Sequence, residues 1–158
     1  MSRPLLAVAA VLAAAPVAAA VAKLDALGGK LTRAGGTVTR LEFTDSSKLG
    51  DAEFKLIGQL TRLKGLVLHG GCKGLTDDTV RHLAGLTDLE TLSTDGAQFS
   101  DAGLKGLVPL RGLKGLNFYH LSFRKPGFTG AGFTALKDLP KLERLTVAGM
   151  SMGDEGFA

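Results

Sequence analysis

The sequence predicts an α/β fold: a right-handed solenoid of about five stacked repeats, with short parallel strands on one face and short helices on the other. Two patterns carry this reading. An apolar spacing of the form L-x-x-L-x-L recurs five times at intervals of 24 to 29 residues, and each copy is followed by apolar residues three apart. Composition narrows the class further. With 45% hydrophobic and 22% charged residues, the chain is neither disordered nor collagen-like. Its single cysteine excludes a disulfide framework or a multi-thiolate metal site.

The strands come first in each block. Val38-x-x-Leu41-x-Phe43 recurs as Leu63-x-x-Leu66-x-Leu68, Leu89-x-x-Leu92-x-Thr94, Leu113-x-x-Leu116-x-Phe118 and Leu142-x-x-Leu145-x-Val147. Alternating apolar residues make a short strand with one apolar face. The second elements carry Phe54, Ile57 and Leu60; Val80, Leu83 and Leu86; Leu104, Leu107 and Leu110; and Phe133, Leu136 and Leu139. That spacing predicts a short helix or 3-10 turn, N-capped by Asp51, Asp77 or Asp101. Pro109 and Pro140 stop two of these elements. One block cannot bury its apolar side alone, so stacking must cover it, with the strands parallel and the turn right-handed. Leu66, Leu92, Leu116 and Leu145 are expected to form one buried column. The fifth block breaks off at Met152-Gly153-Asp154 and Phe157. Leu142, Leu145, Val147, Met150, Met152 and Phe157 therefore surround an open end, a place for self-association through the C-terminal edge.

These cores, with the Leu75-Thr76-Asp77 type of entry, resemble the leucine-rich repeat family from Val38 to Ala158. Cys72-Lys73-Gly74-Leu75-Thr76-Asp77 is similar to its cysteine-containing subtype, and Ser100-Asp101-Ala102-Gly103-Leu104 to bacterial secreted T-D-x-G-L repeats. The resemblance implies a curved solenoid, with strands on its concave face and helices on its convex face, that binds another macromolecule on the concave face. It also implies a buried Cys72; the rival reading of that residue is a reactive free thiol. The chain departs from the pattern where Thr94 replaces a core leucine and Gly130 replaces the capping aspartate.

Residues 1–22 read as a secretory signal peptide. Arg3 precedes an uncharged run from Leu5 to Ala22, and Ala20-Val21-Ala22 offers small residues for cleavage before Lys23, with a second cut after Ala20. Eighteen uncharged residues also just suffice to span a bilayer, so an uncleaved anchor and a buried helix compete with this reading. Alanine is weakly apolar and Pro16 interrupts the helix, which favours cleavage. Residues 23–37 read as an N-terminal cap: a short helix from Ala22 to Leu27 ended by Gly28-Gly29, then a strand at Lys30–Arg33 turning at Gly35-Gly36. Residues 38–158 hold the repeats, the last incomplete. The formal charge of +4 falls to +3 without residues 1–22, too slight a bias for nucleic acid.

Given this register, the outward strand residues form lateral rows. One is Thr44–His69–Asp95–Tyr119, and another is Glu42–Val67–Ser93–Asn117–Thr146; Arg40 and Arg144 belong to a third. His69 beside Asp95 is expected to make a contact that tunes a binding surface. A hydrolase-like site of His69, Asp95 and Ser93 is the rival. It lacks a histidine between serine and carboxylate, and no nucleophile elbow is recognisable. The long connection Leu121–Gly127 places Arg124 and Lys125 in an insertion, which in such arrays maps to one face. No phosphate-binding glycine motif is present, and scattered His69, Cys72, His82 and His120 do not make a metal site. The sequence thus predicts an exported protein, periplasmic or extracellular, without cofactor or catalytic group. It would bind another protein through Arg40, Glu42, His69, Ser93, Asp95, Asn117, Tyr119, Arg124, Lys125 and Arg144. Only Tyr119 offers an aromatic platform, so a glycan is the weaker ligand; neither nucleic acid nor, after cleavage, a membrane is expected. A structural fragment that assembles through its open end is the third reading.

Overall fold

The protein is described by a computed structural model covering residues 4–123 and 129–149. It is a mixed α/β chain built on an open, mostly parallel six-stranded sheet. The chain begins with helix α1 (Pro4–Ala26), which runs through Pro16. The expected helix was short, Ala22 to Leu27, with a break at Pro16. A proline inside a helix removes one backbone bond. Here the turns that follow are held by packing: Ala20, Val21 and Leu24 are buried and Val17 packs against the same core. The helix ends at Gly28, φ +89°, with the Gly29 N–H donating to the Leu24 carbonyl. Among the described residues no helix is long and apolar enough to cross a membrane.

Strands β1 (Lys30–Ala34) and β2 (Thr37–Phe43) then form an antiparallel hairpin. Its two turn residues, Gly35 and Gly36, have φ of +56° and +81°. Two positive values are what a tight two-residue hairpin turn requires. The expected cap strand is therefore present, and β1 lies outside β2 at one edge of the sheet. Strands β3 (Gly65–Leu68), β4 (Thr91–Asp95), β6 (Gly115–Tyr119) and β8 (Arg144–Ala148) follow, each parallel to the strand before it in the order β1-β2-β3-β4-β6-β8. Two-residue strands β5 (Gln98–Phe99) and β7 (Ser122–Phe123) make a separate parallel pair.

Pairing follows the sequence columns. Leu41, Leu66, Leu92, Leu116 and Leu145 are in register, and so are Phe43, Leu68, Thr94, Phe118 and Val147. The first four leucines are fully buried, but Leu145 is 43% exposed. The expectation of one buried column thus fails at its last member. Leu145 lies on β8, which among the described residues pairs with β6 only, so a neighbouring leucine covers it from one side.

The second elements are α2 (Asp51–Ile57), a 3-10 turn at Val80–Leu83, α3 (Asp101–Lys105), and α4 (Ala131–Thr134) continuing as a 3-10 turn at Ala135–Asp138. Their apolar triplets face the strands: Phe54, Ile57, Leu60, Val80, Leu83, Leu86, Leu104, Leu107, Leu110, Leu136 and Leu139 are all buried. The aspartates do not cap their own helices as expected. In α3 the N-cap is Ser100, whose hydroxyl accepts from the Ala102 N–H. In α2 the Glu53 carboxylate accepts from the Gly50 N–H. The aspartates instead reach into the following block. Asp77 accepts from the N–H and hydroxyl of Ser100, at 2.8 and 2.5 Å. Asp101 accepts from the N–H and hydroxyl of Thr129 and from the Gly132 N–H, at 3.1, 2.6 and 3.0 Å. Burial alone would raise the Asp101 pKa, but the Thr129 hydroxyl and the backbone N–H groups outweigh it and hold the carboxyl below its usual range. Asp51 also reaches the next block, but to a side chain: its Oδ1 lies 2.6 Å from His82 Nε2. Lys55 and then His82 lower its pKa to about 2.

Thr94 is fully buried between Leu68 and Phe118, and its hydroxyl has no hydrogen-bond partner. An unpaired buried hydroxyl costs roughly 1–3 kcal/mol. Thr94→Val keeps the shape and removes the polar group, so urea denaturation should show a gain of about 1 kcal/mol. A loss would mean that the hydroxyl is bonded after all.

Candidate binding face

The outward side chains of the sheet fall into the three expected rows: Arg40, Gly65, Thr91, Gly115 and Arg144; Glu42, Val67, Ser93, Asn117 and Thr146; and, beyond the ends of β2 and β3, Thr44 and His69 with Asp95, Tyr119 and Ala148. Arg40 crosses Gly65, where a Cβ would stand 3.1 Å from its guanidinium, and pairs with Glu42 at 3.5 Å. Ser93, Asn117, Asp95, Tyr119 and His69 are half-buried, Arg144 is exposed, and Val67 is buried despite its outward row. Arg124 and Lys125 lie outside the described residues.

The predicted contact between His69 and Asp95 is not formed. Asp95 Oδ1 pairs with His120 Nδ1 at 2.9 Å, and His69 faces the ring of Tyr119, with centroids 6.4 Å apart and planes tilted by 43°. The reason is where the chain goes after β6. His120 turns back at the strand end and reaches Asp95 first, while the longer Tyr119 leans towards His69. No hydrogen bond joins Ser93 to either histidine, so His69, Asp95 and Ser93 do not assemble into a hydrolytic triad.

His120 is the residue that sequence reasoning missed. It is the one non-glycine with positive φ among the described residues, at +46°. The equivalent post-strand residues are Gly70, Gly96 and Gly149, at +75°, +79° and +67°. A left-handed backbone costs an L-residue about 1–2 kcal/mol that glycine avoids. The side chain is nevertheless 73% exposed. It lies between two partners. On one side is Asp95. On the other is Gly149, where a Cβ would come within 2.7 Å of the imidazole. The His120 N–H also donates to the Ala148 carbonyl at 2.8 Å. The signal was present in the chain: aligning the residue after each strand gives Asp45, Gly70, Gly96, His120 and Gly149.

Behind this rim Cys72 is fully buried, as expected, and burial pushes its thiol pKa up. Its N–H holds the Asp95 carbonyl at 2.5 Å. Among the described residues no group of three His, Cys, Asp or Glu side chains could hold a metal ion. At the opposite ends of the strands, a groove of about 260 Å³ is lined by Arg62, Lys64, Asp88, Glu90, Lys114 and Lys141, among others. Its charges largely pair off: Glu90 bridges Lys64 and Lys114 at 3.4 and 2.9 Å, and Arg62 meets Asp88 at 2.9 Å. Lys114, with Lys64, holds the Glu90 carboxyl below its usual range. Four cations face two carboxylates, so the groove keeps a net positive charge.

No protein-family model matches this chain, and no curated protein matches it at a significant level.

Proposed function

We propose that the chain is a leucine-rich repeat solenoid of about five repeats, exported through its apolar N-terminal segment, that binds another protein on its concave sheet face. The observation that carries this is His120. A strained backbone persists where the surrounding structure imposes it, and such strain clusters at sites of function. Here glycine serves at the same position in three other blocks, so the strain is spent on presenting one exposed imidazole. Asp95 and Gly149 fix its orientation, and His69 and Tyr119 supply ring surface beside it. The face is built on strands, so it orders few side chains on binding, which limits the entropic cost.

His120→Gly separates stability from binding. Relief of the left-handed strain should leave the melting temperature unchanged or raise it, by up to about 1 kcal/mol in stability. The contact with Asp95 that it removes is exposed and contributes little. Affinity for the protein captured by the parent chain from its native envelope should fall about tenfold or more, as should that of Tyr119→Ala. Parental affinity in both variants, with His69→Ala also unaffected, would end the concave-face reading.

A further inference from the structure

The end of α1 is asked to do two incompatible things. Read as an export signal, the chain is cut after Ala22 or after Ala20. In the fold the same turns are interior: Ala20 is 1%, Val21 9% and Leu24 0% exposed. With Val17 these residues recur at i, i+3, i+4 and i+7, one face of a helix. Ala18, Ala19 and Ala22, on the other side, are exposed. Val17, Val21 and Leu24 join the same apolar core as Val38, Leu41 and Phe43. Val17 also lines a cleft of about 110 Å³ with Val38 and Leu60, at the end of the first block.

Repeat arrays need their first stacking face covered. The hairpin β1–β2 covers the sheet edge, and β1 itself is largely exposed, with only Leu31 half-buried. The helical side of the first block has α1 as its neighbour. A cut after Ala22 would remove Val17, Ala20 and Val21 and leave a remnant of α1 from Lys23 to Ala26, about one turn. One isolated turn is not a stable helix, so Leu24 would lose its support too.

We propose that the chain is not cut after Ala20 or Ala22: residues 17–26 stay with the folded protein as its N-terminal cap, with the bond after Ala20 buried and the exposed bond after Ala22 held in helical form. This builds on the export part of the proposed function and is independent of what the sheet face binds. It decides between the cleaved signal and the retained helix, both of which fit the sequence. It also ties processing to folding. A peptidase needs its substrate extended, and Ala20 is inside a packed helix.

The test uses the full chain with two substitutions in one helix, one at a buried and one at an exposed position. Ala20→Asp and Ala19→Asp change helix propensity equally and place the same charge one residue apart. We expect Ala20→Asp to lower the melting temperature by about 5 °C or more and Ala19→Asp to leave it within about 2 °C. Failure of Ala20→Asp to fold, with Ala19→Asp folded, is the same result in stronger form. The milder Val21→Ala should give a smaller drop. Equal melting of all three variants and the parent would overturn the cap. The second readout is the N-terminal residue of the folded parent chain recovered from outside the cytoplasm. It should lie at or before Val17. A folded species beginning at Val21 or Lys23 and melting with the full chain would overturn the proposal. A chain found only in the cytoplasm would instead defeat the export reading, and the melting series would still decide the cap.

Discussion

Leu92→Ala or Leu116→Ala should destabilise the protein by about 2–5 kcal/mol, because each removes a fully buried side chain and leaves a cavity between in-register leucines. Leu92 sits between Leu66 and Leu116, with no solvent on any side that could fill the space. The edge gives the internal control. Leu145→Ala removes the same group from the same row, but at 43% exposure it should cost less than about 1 kcal/mol. Chemical denaturation of the three variants would show this gradient. Equal losses at positions 92 and 145 would mean that the row is not organised as described.

The second large effect is expected at Gly74. A Cβ there would overlap the Leu49 carbonyl, a backbone group of the preceding block that cannot swing aside. Gly74→Ala should therefore force adjacent blocks apart and cost about 3 kcal/mol or more. Gly85→Ala is the matched contrast. It meets nothing within 4 Å and has an ordinary φ, so it should be neutral or stabilise by about 0.4–1 kcal/mol through the unfolded chain. A tolerated Gly74→Ala would show that the blocks are less tightly apposed.

Much of this architecture was legible because it depends on period alone. Spacing and alternation placed Leu41, Leu66, Leu92 and Leu116 in one column and aligned Asp95 with Tyr119 across neighbouring strands. What escaped depends on distances between elements. An aspartate before a helix can accept either from that helix or from the next block, and nothing in Asp77 or Asp101 says which N–H is nearer. The partner of Asp95 is not the neighbour in its row, because adjacency across strands does not fix which side chain makes the contact. The backbone turn at His120 brings a residue from outside the row into reach. The small β5–β7 pair and the course of α1 through Pro16 follow from packing, which a local rule about proline does not contain. Leu145 looked like its column-mates because exposure at an edge depends on what lies beyond it.

The claim that the sheet face binds a protein is tested most directly by photo-cross-linking in the native envelope. One probe replaces Asn117 in the middle outward row, and a second replaces Lys55 on the opposite, helical side. A discrete adduct is expected from position 117, reduced when His120→Gly is added, with none above background from position 55. Adducts of equal yield from both positions, or from position 55 alone, would contradict it.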